Sequence, residues 1–379
     1  MDTPDNHSDS DAGPGQSQAP QRMVFRGRGA VARPDGRFES LQRDAHDDGW
    51  GSLDERADTP PPKTELLIDH ARKIISTNDS PDISFEYSVN PYKGCEHGCS
   101  YCFARPTHSY LGLSAGLDFE TKISYKPEAA TLLRKELANP RYVCKPIALG
   151  INTDAWQPIE RKLGITRALL EVMVETRHPI SVVTKGALIE RDIDLLADLA
   201  RDDLVHVYFS VTTLDRELAR RLEPRAAAPQ RRLELMAALH AAGVPTGVLF
   251  APLIPALNDH EMEAVLEAAA AAGAEAAGYV LLRLPHEVAP LFEAWLEEHY
   301  PGRAAHVMSL VHQLRGGKAY DSSFGKRMRG EGQFAELYSQ RMRLACARLK
   351  LNKRGRVLNT AAFVPPRPAR TASPQGELF

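Results

Sequence analysis

The sequence predicts an α/β fold: a partial (βα)6 TIM-like barrel with a C-terminal helical extension and disordered termini. Apolar, β-branched runs alternate with helical stretches through the middle of the chain. After about residue 300 the pattern is helical without a further clear strand, and both ends are polar and rich in Pro, Gly and Ser. A doubly wound parallel sheet fits the same alternation, because periodicity does not separate these two architectures.

Six apolar runs form the predicted strands, and a helical stretch follows each of them. Near-continuous apolar strands between helices are typical of a parallel sheet covered on both faces. Pro127 suits a first helical position. Asn258 and Glu261 resemble a capping box before an Ala-rich helix that ends at Gly273. The runs are 83–89, 142–151, 180–184, 204–212, 244–250 and 278–284.

These patterns divide the chain into four segments. We expect residues 1–60 to be mostly disordered, although the apolar residues of 22–39 make that piece a candidate for docking on the body. The barrel core spans 61–300. A basic helical extension follows over 301–360, and 361–379 form a disordered Pro-rich tail.

Composition excludes several classes of protein. The 379 residues carry a formal net charge of −2, so no global attraction to a polyanion is expected. No apolar stretch reaches the roughly 18 residues that span a bilayer, and the acidic start is not a secretory signal. Five cysteines argue against a disulfide framework and for the cytoplasm. Locally, 315–356 holds twelve Lys or Arg against three acidic residues, which indicates either a solvated helix face or a polyanion-binding surface.

Three cysteines, Cys95, Cys99 and Cys102, lie within eight residues directly after the first predicted strand. Gly94 and Gly98 give the backbone the freedom to curl around a common centre. Thiolates at this spacing suit zinc or an iron–sulfur cluster, and structural cysteines are the third interpretation. A zinc site needs a fourth ligand, for which the candidates are His97, His108 and Cys144.

An iron–sulfur cluster is the interpretation that fits the cysteine count best. Electron-transfer clusters use four cysteines, whereas the remaining thiols, Cys144 and Cys346, lie far along the chain and suit core packing. A cluster held by three cysteines leaves one iron open. An open iron is able to bind a small chelating cofactor.

The cysteine spacing, with Tyr101 before the third cysteine, resembles the radical S-adenosylmethionine (SAM) superfamily. The stretches NPYKGCEHGCSYCFARPTH, TDAWQPIE and VLFAPLIPALNDHE resemble its spore photoproduct lyase-like branch, within a bacterial group of unsettled substrate. The resemblance covers roughly residues 60–355. It implies a [4Fe–4S] cluster that cleaves SAM reductively to a 5′-deoxyadenosyl radical, with a reductant of the flavodoxin or ferredoxin type and an unknown substrate, nucleic acid included.

A non-enzymatic, metal-stabilised nucleic-acid-binding module is the alternative function.

The sequence differs at one place from the spore lyase, which carries a hydrogen-donating cysteine just before the turn after its second strand. Residues 148–154 of this chain read ALGINTD and contain no thiol. Repair of thymine photodimers by the spore-lyase route is therefore disfavoured.

By resemblance, several residues at the ends of the predicted strands contact SAM. Ser210 and Thr212 share one face of a strand, because side chains two apart lie on the same side. The competing interpretations are turn or helix-cap duty for Thr153 and Asp154, a solvated Lys185, internally satisfied hydroxyls on the fourth strand, and an ion pair of Arg225 with Glu223. The implied contacts are Tyr101 with adenine, Asn152, Thr153 and Asp154 with the amino group, Lys185 with the carboxylate, Ser210 and Thr212 with the ribose, and Arg225 with a carboxylate or phosphate.

Other polar residues around the cysteine loop are weaker candidates. We expect His97 to be a neighbour of the cluster or exposed rather than a ligand. Arg105 and His108 are candidates for facing substrate. Asp118, Glu120 and Lys122 follow at strand-like alternation and are either substrate-side residues or loop ion pairs.

Overall fold

A computed structural model describes residues 27–32, 37–38, 63–353, 355 and 357–366. The predictions for the rest of 1–60 and for 367–379 lie outside these residues. Ten strands form two sheets. They are β1 Glu65–Ile68, β2 Ile75–Thr77, β3 Tyr87–Val89, β4 Tyr92–Lys93, β5 Lys122–Tyr125, β6 Ile147–Leu149, β7 Ile180–Thr184, β8 Val205–Ser210, β9 Thr246–Leu253 and β10 Ala276–Leu281.

The large sheet has the strand order β10-β9-β8-β7-β6-β3-β2. Six of its strands run parallel, and β2 pairs antiparallel with β3 at one edge. Each predicted run overlaps one of the six parallel strands, although the first run is extended only over its last three residues and β9 and β10 reach beyond their runs. The predicted α/β fold is confirmed. Because parallel strands place their carboxyl ends at one edge, the loops that follow β3, β6, β7 and β8 meet there.

The small sheet anchors the cysteine loop. Its order is β1-β5-β4, with β4 inside that loop and paired antiparallel to β5. Residues 118–121 form a short helix rather than the alternating strand predicted for Asp118–Lys122, and β5 begins only at Lys122. Backbone hydrogen bonds between β4 and β5 therefore hold the cysteine loop in place independently of its side chains.

Helices pack against the strands of the large sheet. In the described part of the chain, none of them is long and apolar enough to cross a bilayer. They are α1 Asp118–Thr121, α2 Ala129–Leu137, α3 Glu160–Leu163, α4 Ile165–Glu175, α5 Ile193–Ala200, α6 Arg216–Leu222, α7 Pro229–Ala241, α8 Met262–Ala271, α9 Val288–His299, α10 Pro301–Gln313 and α11 Gln333–Leu349.

Two predicted helix starts differ in the structure. The helix α2 begins at Ala129, two residues after Pro127. Asn258 makes no side-chain cap. Its buried amide accepts from the Ile254 N–H at 2.6 Å and donates to the Thr212 and Pro252 carbonyls. The capping-box prediction was wrong, because the side chain ties the ends of β8 and β9 together instead.

Four cations of the basic extension form ion pairs within the described part of the chain. Arg315 is buried, and its guanidinium donates to the carbonyls of Leu282, Lys326 and Arg327. The segment that follows joins the two edges of the large sheet: Leu281 of β10 donates to the Met328 carbonyl, and Arg327 pairs at 2.6 Å with Asp82, between β2 and β3. The other ion pairs of the extension are Lys326–Glu331, Arg341–Glu263 and Arg348–Glu267.

Residues 361–366, predicted as part of a disordered tail, pack at the end of the sheet opposite the cysteine loop. Val364 donates to the Thr176 carbonyl, and the Phe363 ring contacts His178 edge-on at 5.3 Å. His178 Nδ1 donates to the Pro179 carbonyl at 3.0 Å, and Nε2 lies 2.7 Å from the Tyr142 hydroxyl. Burial favours the neutral imidazole, in which Nε2 accepts from that hydroxyl.

The neutral His178 makes stability depend on pH. Burial lowers its pKa from 6.5 to about 4. Between these pH values His178 is protonated in the unfolded chain and neutral in the folded chain. The stabilising contribution is present above pH 6.5 and is lost as the pH falls towards 4, by roughly 2 kcal/mol between pH 7 and pH 5. Urea unfolding at both pH values should show that excess loss relative to His178→Gln, whose amide keeps both bonds. Equal pH slopes would contradict it.

Candidate metal and cofactor site

The cysteine loop curls because of two glycines with positive φ. Gly94 lies at +84° and Gly98 at +68°, in the region that L side chains rarely adopt. Within the loop the Cys95 N–H donates to the Phe119 carbonyl at 2.9 Å, and the Cys102 N–H donates to the Cys99 carbonyl at 3.3 Å. The loop therefore places its three thiols on one turning segment after β3, as the sequence predicts.

The three thiols interact with one another inside a desolvated site. Burial raises the pKa of the Cys95 thiol well above its usual value, and Asp154, Cys99 and Cys102 raise it further. Burial likewise raises the pKa of Cys99 to about 12 and raises that of Cys102. Three thiolates are thus unfavourable there without added positive charge, and a coordinated metal supplies that charge. The donor set fits an iron–sulfur cluster.

The spacing of the thiols disfavours zinc. Among the described residues no group of three His, Cys, Asp or Glu side chains lies close enough to hold one metal ion. Ligands of one Zn²⁺ converge on bonds of about 2.3 Å, whereas the cysteines of a cubane cluster each bind a different iron. His97, a predicted non-ligand, is buried with its Nδ1 3.4 Å from Asp154.

A buried ion pair supports the cysteine loop from behind. The Arg105 guanidinium donates to the Cys99 carbonyl at 2.9 Å and pairs with Glu120 at 2.5 Å, and both side chains are fully buried. The substrate-facing role predicted for Arg105 was wrong, because its side chain does not reach solvent. For Glu120 the structure shows the ion pair that was one of its two interpretations. His108 is also buried, with its Nε2 3.0 Å from the Lys122 carbonyl.

Residues 27–32, here called the strap, lie across the outside of the cysteine loop. The Glu120 carboxylate accepts from the N–H groups of Gly29 at 3.1 Å and Ala30 at 2.8 Å. A Cβ on Gly29 would lie 1.7 Å from the Gly98 carbonyl oxygen, so only glycine allows this approach. Docking of the segment 22–39 is thus observed for its described part, with the residues 30–32 buried.

The loop after β6 is bonded to its neighbours. The Asp154 carboxylate accepts from the Thr184 hydroxyl at 2.8 Å and the Lys185 N–H at 2.7 Å. The Asn152 N–H donates to the Asn90 side chain, and the Thr153 hydroxyl donates to the Tyr92 carbonyl. The structure therefore gives Thr153 and Asp154 the turn-holding duty that was one of the two interpretations; their contacts with SAM stay predictions.

Glu223 is the centre of the polar site. Its buried carboxylate accepts from the Tyr101 hydroxyl, from the Thr212 hydroxyl at 2.6 Å, and from the Arg232 guanidinium. Burial raises its pKa, but Arg232 and Lys185 outweigh burial and bring the pKa to about 2. Glu223 is therefore an anion that holds Tyr101, of the cysteine loop, against the end of β8.

Lys185 and Ser210 extend this network to the neighbouring strands. The Lys185 ammonium donates to the Ser210 hydroxyl at 2.7 Å, lies 3.9 Å from Glu223 and sits 6.0 Å from the Tyr101 ring centroid. The Ser210 hydroxyl donates to the Ala251 carbonyl at 2.9 Å. Four predicted SAM contacts, Tyr101, Lys185, Ser210 and Thr212, thus meet at one place, where their roles toward SAM remain predictions.

Arg225 pairs with a different carboxylate from the one predicted. Its guanidinium lies 3.2 Å from Glu96, the residue after Cys95, and its N–H donates to the His97 carbonyl at 3.2 Å. Glu223, the predicted partner, is taken by Arg232. Arg225 consequently fastens the loop after α6 to the cysteine loop.

Sequence reasoning missed three of these residues. Glu223 entered only as a surface partner of Arg225, and Arg232 and the Asn258 amide did not enter as site residues. Arg232 donates to the carbonyls of Ala227 and Ser210. No local signal marks them, because a buried charge on a helix and an exposed one have the same appearance in sequence.

The family comparison agrees with this geometry. The Radical SAM superfamily model matches residues 89–269, from the last residue of β3 to α8. Residues 89–269 are thus similar to the radical SAM superfamily. Members of this superfamily generally bind a [4Fe–4S] cluster and SAM.

Two relatives of this region are described as uncharacterized proteins. An uncharacterized protein of Mycobacterium tuberculosis is 38% identical over 221 residues, which is 58% of this chain and 65% of that protein. One of Methanocaldococcus jannaschii is 25% identical over 199 residues, 52% of this chain and 71% of that protein. The match thus spans slightly less than two thirds of the mycobacterial relative.

Solved structures share the fold. Spore photoproduct lyase complexed with dinucleoside spore photoproduct has a TM-score of 0.55 and 17% identity, covering 75% of this chain and 79% of that chain. A mutant of that lyase with bound AdoMet and the dinucleoside spore photoproduct has a TM-score of 0.54, 17% identity, and coverage of 75% and 78%. At this identity the likeness concerns the architecture alone.

Proposed function

We propose that this protein is a radical SAM enzyme whose [4Fe–4S] cluster is bound by Cys95, Cys99 and Cys102. The observation that carries the proposal is the meeting of three desolvated thiols with the polar network around Glu223 at the carboxyl ends of the parallel strands. When bound, the cluster supplies the electron for cleavage of SAM to a 5′-deoxyadenosyl radical, which abstracts hydrogen from the substrate. A reducing compartment, the cytoplasm, suits this chemistry.

The chain's own residues give SAM its orientation in this proposal. Lys185 presents an ammonium group for the carboxylate, and the hydroxyls of Ser210 and Thr212 present partners for the ribose. The Glu223 anion fixes Tyr101 and neutralises Arg232. Because these groups are already hydrogen-bonded to one another, little reordering is needed when the cofactor binds.

An exposed aromatic ring on the cysteine loop favours a planar, anionic substrate, and we propose nucleic acid as its class. Phe103, next to Cys102, is 40% exposed, and the Arg283 guanidinium lies 4.8 Å from its ring centroid and 6.0 Å from that of Tyr320. Rings and guanidinium planes of this kind stack on unpaired bases. Four cations of the 315–356 region, Lys326, Arg327, Arg341 and Arg348, are already paired with carboxylates, which weakens the case for a binding surface there.

Single replacements of the loop cysteines test the enzyme. After anaerobic reconstitution with iron and sulfide, the reduced wild-type protein should convert SAM to 5′-deoxyadenosine. Cys95→Ala, Cys99→Ala and Cys102→Ala should each lose the iron and at least about a hundredfold in that conversion, because each thiolate holds one corner of the cluster. Product is measured by liquid chromatography.

The control is Cys144→Ala, which removes a half-buried thiol outside the loop and should keep iron and activity. Adding DNA, RNA or peptide fractions to the wild-type protein tests the substrate class through hydrogen transfer into 5′-deoxyadenosine. The metal-stabilised binding module, the alternative, predicts tetrahedral zinc, no SAM cleavage, and loop variants that unfold. A reconstituted, reduced protein that forms no 5′-deoxyadenosine would rule out the proposal.

A further inference from the structure

A basic cavity borders the outer side of the cysteine loop. It has a volume of about 670 Å³, and its lining includes four cationic side chains and one carboxylate. Apolar groups of Leu66, Pro158 and Ile159 line it as well, and no aromatic ring does so among the described residues. The cations are Arg28, Lys63, Lys162 and Arg225, and the carboxylate is Glu96.

The cations of this cavity exceed its negative charge. Glu96 lies 3.2 Å from Arg225 and also accepts from the Thr64 hydroxyl at 2.6 Å. Burial, and after it the charge of Arg225, lower the pKa of Arg28, and the charges of Glu120 and Glu96 offset this only in part. Lys63 and Lys162 are exposed at the rim. Such a concentration of one sign of charge attracts an acidic partner and speeds its encounter.

Residues that line the cavity are directly adjacent to a proposed cluster ligand. Arg225 contacts Glu96, which is bonded covalently to Cys95, and the Arg225 N–H donates to the His97 carbonyl. The strap contributes Gly27 and Arg28 to the same lining. A molecule seated here would therefore lie one residue away from a cluster ligand.

We propose that this cavity is the docking site of an acidic one-electron carrier protein that reduces the cluster. The inference rests on the proposed function. One electron passes from the carrier to the cluster, so the carrier is oxidised and the cluster reduced by one, with no bond made or broken. Apolar side chains within a charged rim are typical of a protein interface. Single-stranded nucleic acid, in contrast, is bound on aromatic platforms, which this lining lacks.

Charge reversal at the rim tests the docking site. Reduced plant-type [2Fe–2S] ferredoxin, an acidic carrier, is mixed anaerobically with the reconstituted protein, and the rate of cluster reduction is followed by absorbance. At low salt, Lys63→Glu/Lys162→Glu should lower the second-order rate constant by about tenfold or more. At roughly 0.5 M salt the difference should shrink, because screening shortens the reach of the charges. Reduction by dithionite should be unchanged.

A matched control carries the same change in charge elsewhere. Arg343→Glu/Lys353→Glu alters exposed residues on and just after α11 and should leave ferredoxin reduction within about twofold of wild type. The docking site would be overturned if both variants lost the same rate or if neither lost any. It would also be overturned if dithionite reduced the rim variant more slowly than the wild type, or if ferredoxin did not reduce the wild-type cluster. None of these outcomes affects SAM cleavage by the wild-type protein with dithionite as reductant. If the wild-type protein did not cleave SAM with dithionite, the proposed function itself would be contradicted.

Discussion

Replacing Glu223 by glutamine is expected to destabilise the protein by roughly 3–5 kcal/mol, the usual cost of leaving one partner of a buried ion pair uncompensated. The pKa of Glu223, about 2, keeps the carboxylate charged at neutral pH. Its partner Arg232 is almost wholly buried and depends on this carboxylate for its counter-charge. The free energy of unfolding, from urea titrations followed by circular dichroism, measures the loss.

Two further variants make this prediction specific. Glu267→Gln breaks an exposed pair with Arg348 and should cost about 1 kcal/mol or less. Glu223→Gln/Arg232→Met removes both charges and should regain part of the loss, because a buried charge without a partner costs more than a neutral pair. If the single variant were no less stable than Glu267→Gln, Glu223 would not hold a desolvated charge.

Glu120→Ala is expected to release the strap and to destabilise the cysteine loop, again by roughly 3–5 kcal/mol. The carboxylate accepts from two N–H groups of the strap and pairs with Arg105, which itself donates to the Cys99 carbonyl. Its removal leaves a buried guanidinium without a counter-charge. Iron retained after desalting should fall, and trypsin should cut after Arg28 faster than in the wild-type protein.

A surface carboxylate serves as the control for Glu120. Glu175→Ala breaks an exposed pair with Arg134 at 2.8 Å and should change stability by about 1 kcal/mol or less. It should leave the iron content and the tryptic pattern as they are. Wild-type cleavage at Arg28 in Glu120→Ala would show that the strap is held by other contacts.

The strands and the cysteine loop could be predicted because their signals are local. The run 180–184 is β-branched at every position except Ser181 and coincides with β7, and Gly94 and Gly98 have the positive φ that the curl requires. The polar support of the site could not be predicted in this way. Arg105 and Glu120 are fifteen residues apart and look like ordinary surface charges until folding buries them together.

The basic extension also could not be interpreted from local sequence, because its contacts join residues that are far apart in the chain. Charge counting over 315–356 treats every cation as available, whereas Arg315 binds backbone carbonyls and Arg327 is used by Asp82, more than 200 residues earlier in the chain. A pairing across that separation has no signature in a local window. Charge reversal at Arg327 would therefore disturb the join between the sheet edges as well as any ligand.

The strap bears on how a shorter version of this protein should be designed. Composition places the start of the folded core near residue 61, yet Ala30, Val31 and Ala32 pack in the same apolar cluster as Tyr101 and Leu218. A chain that began at residue 61 would expose those apolar contacts and leave the Glu120 carboxylate without two of its backbone donors. The working boundary of the folded unit thus lies before residue 27, more than thirty residues upstream of the first strand.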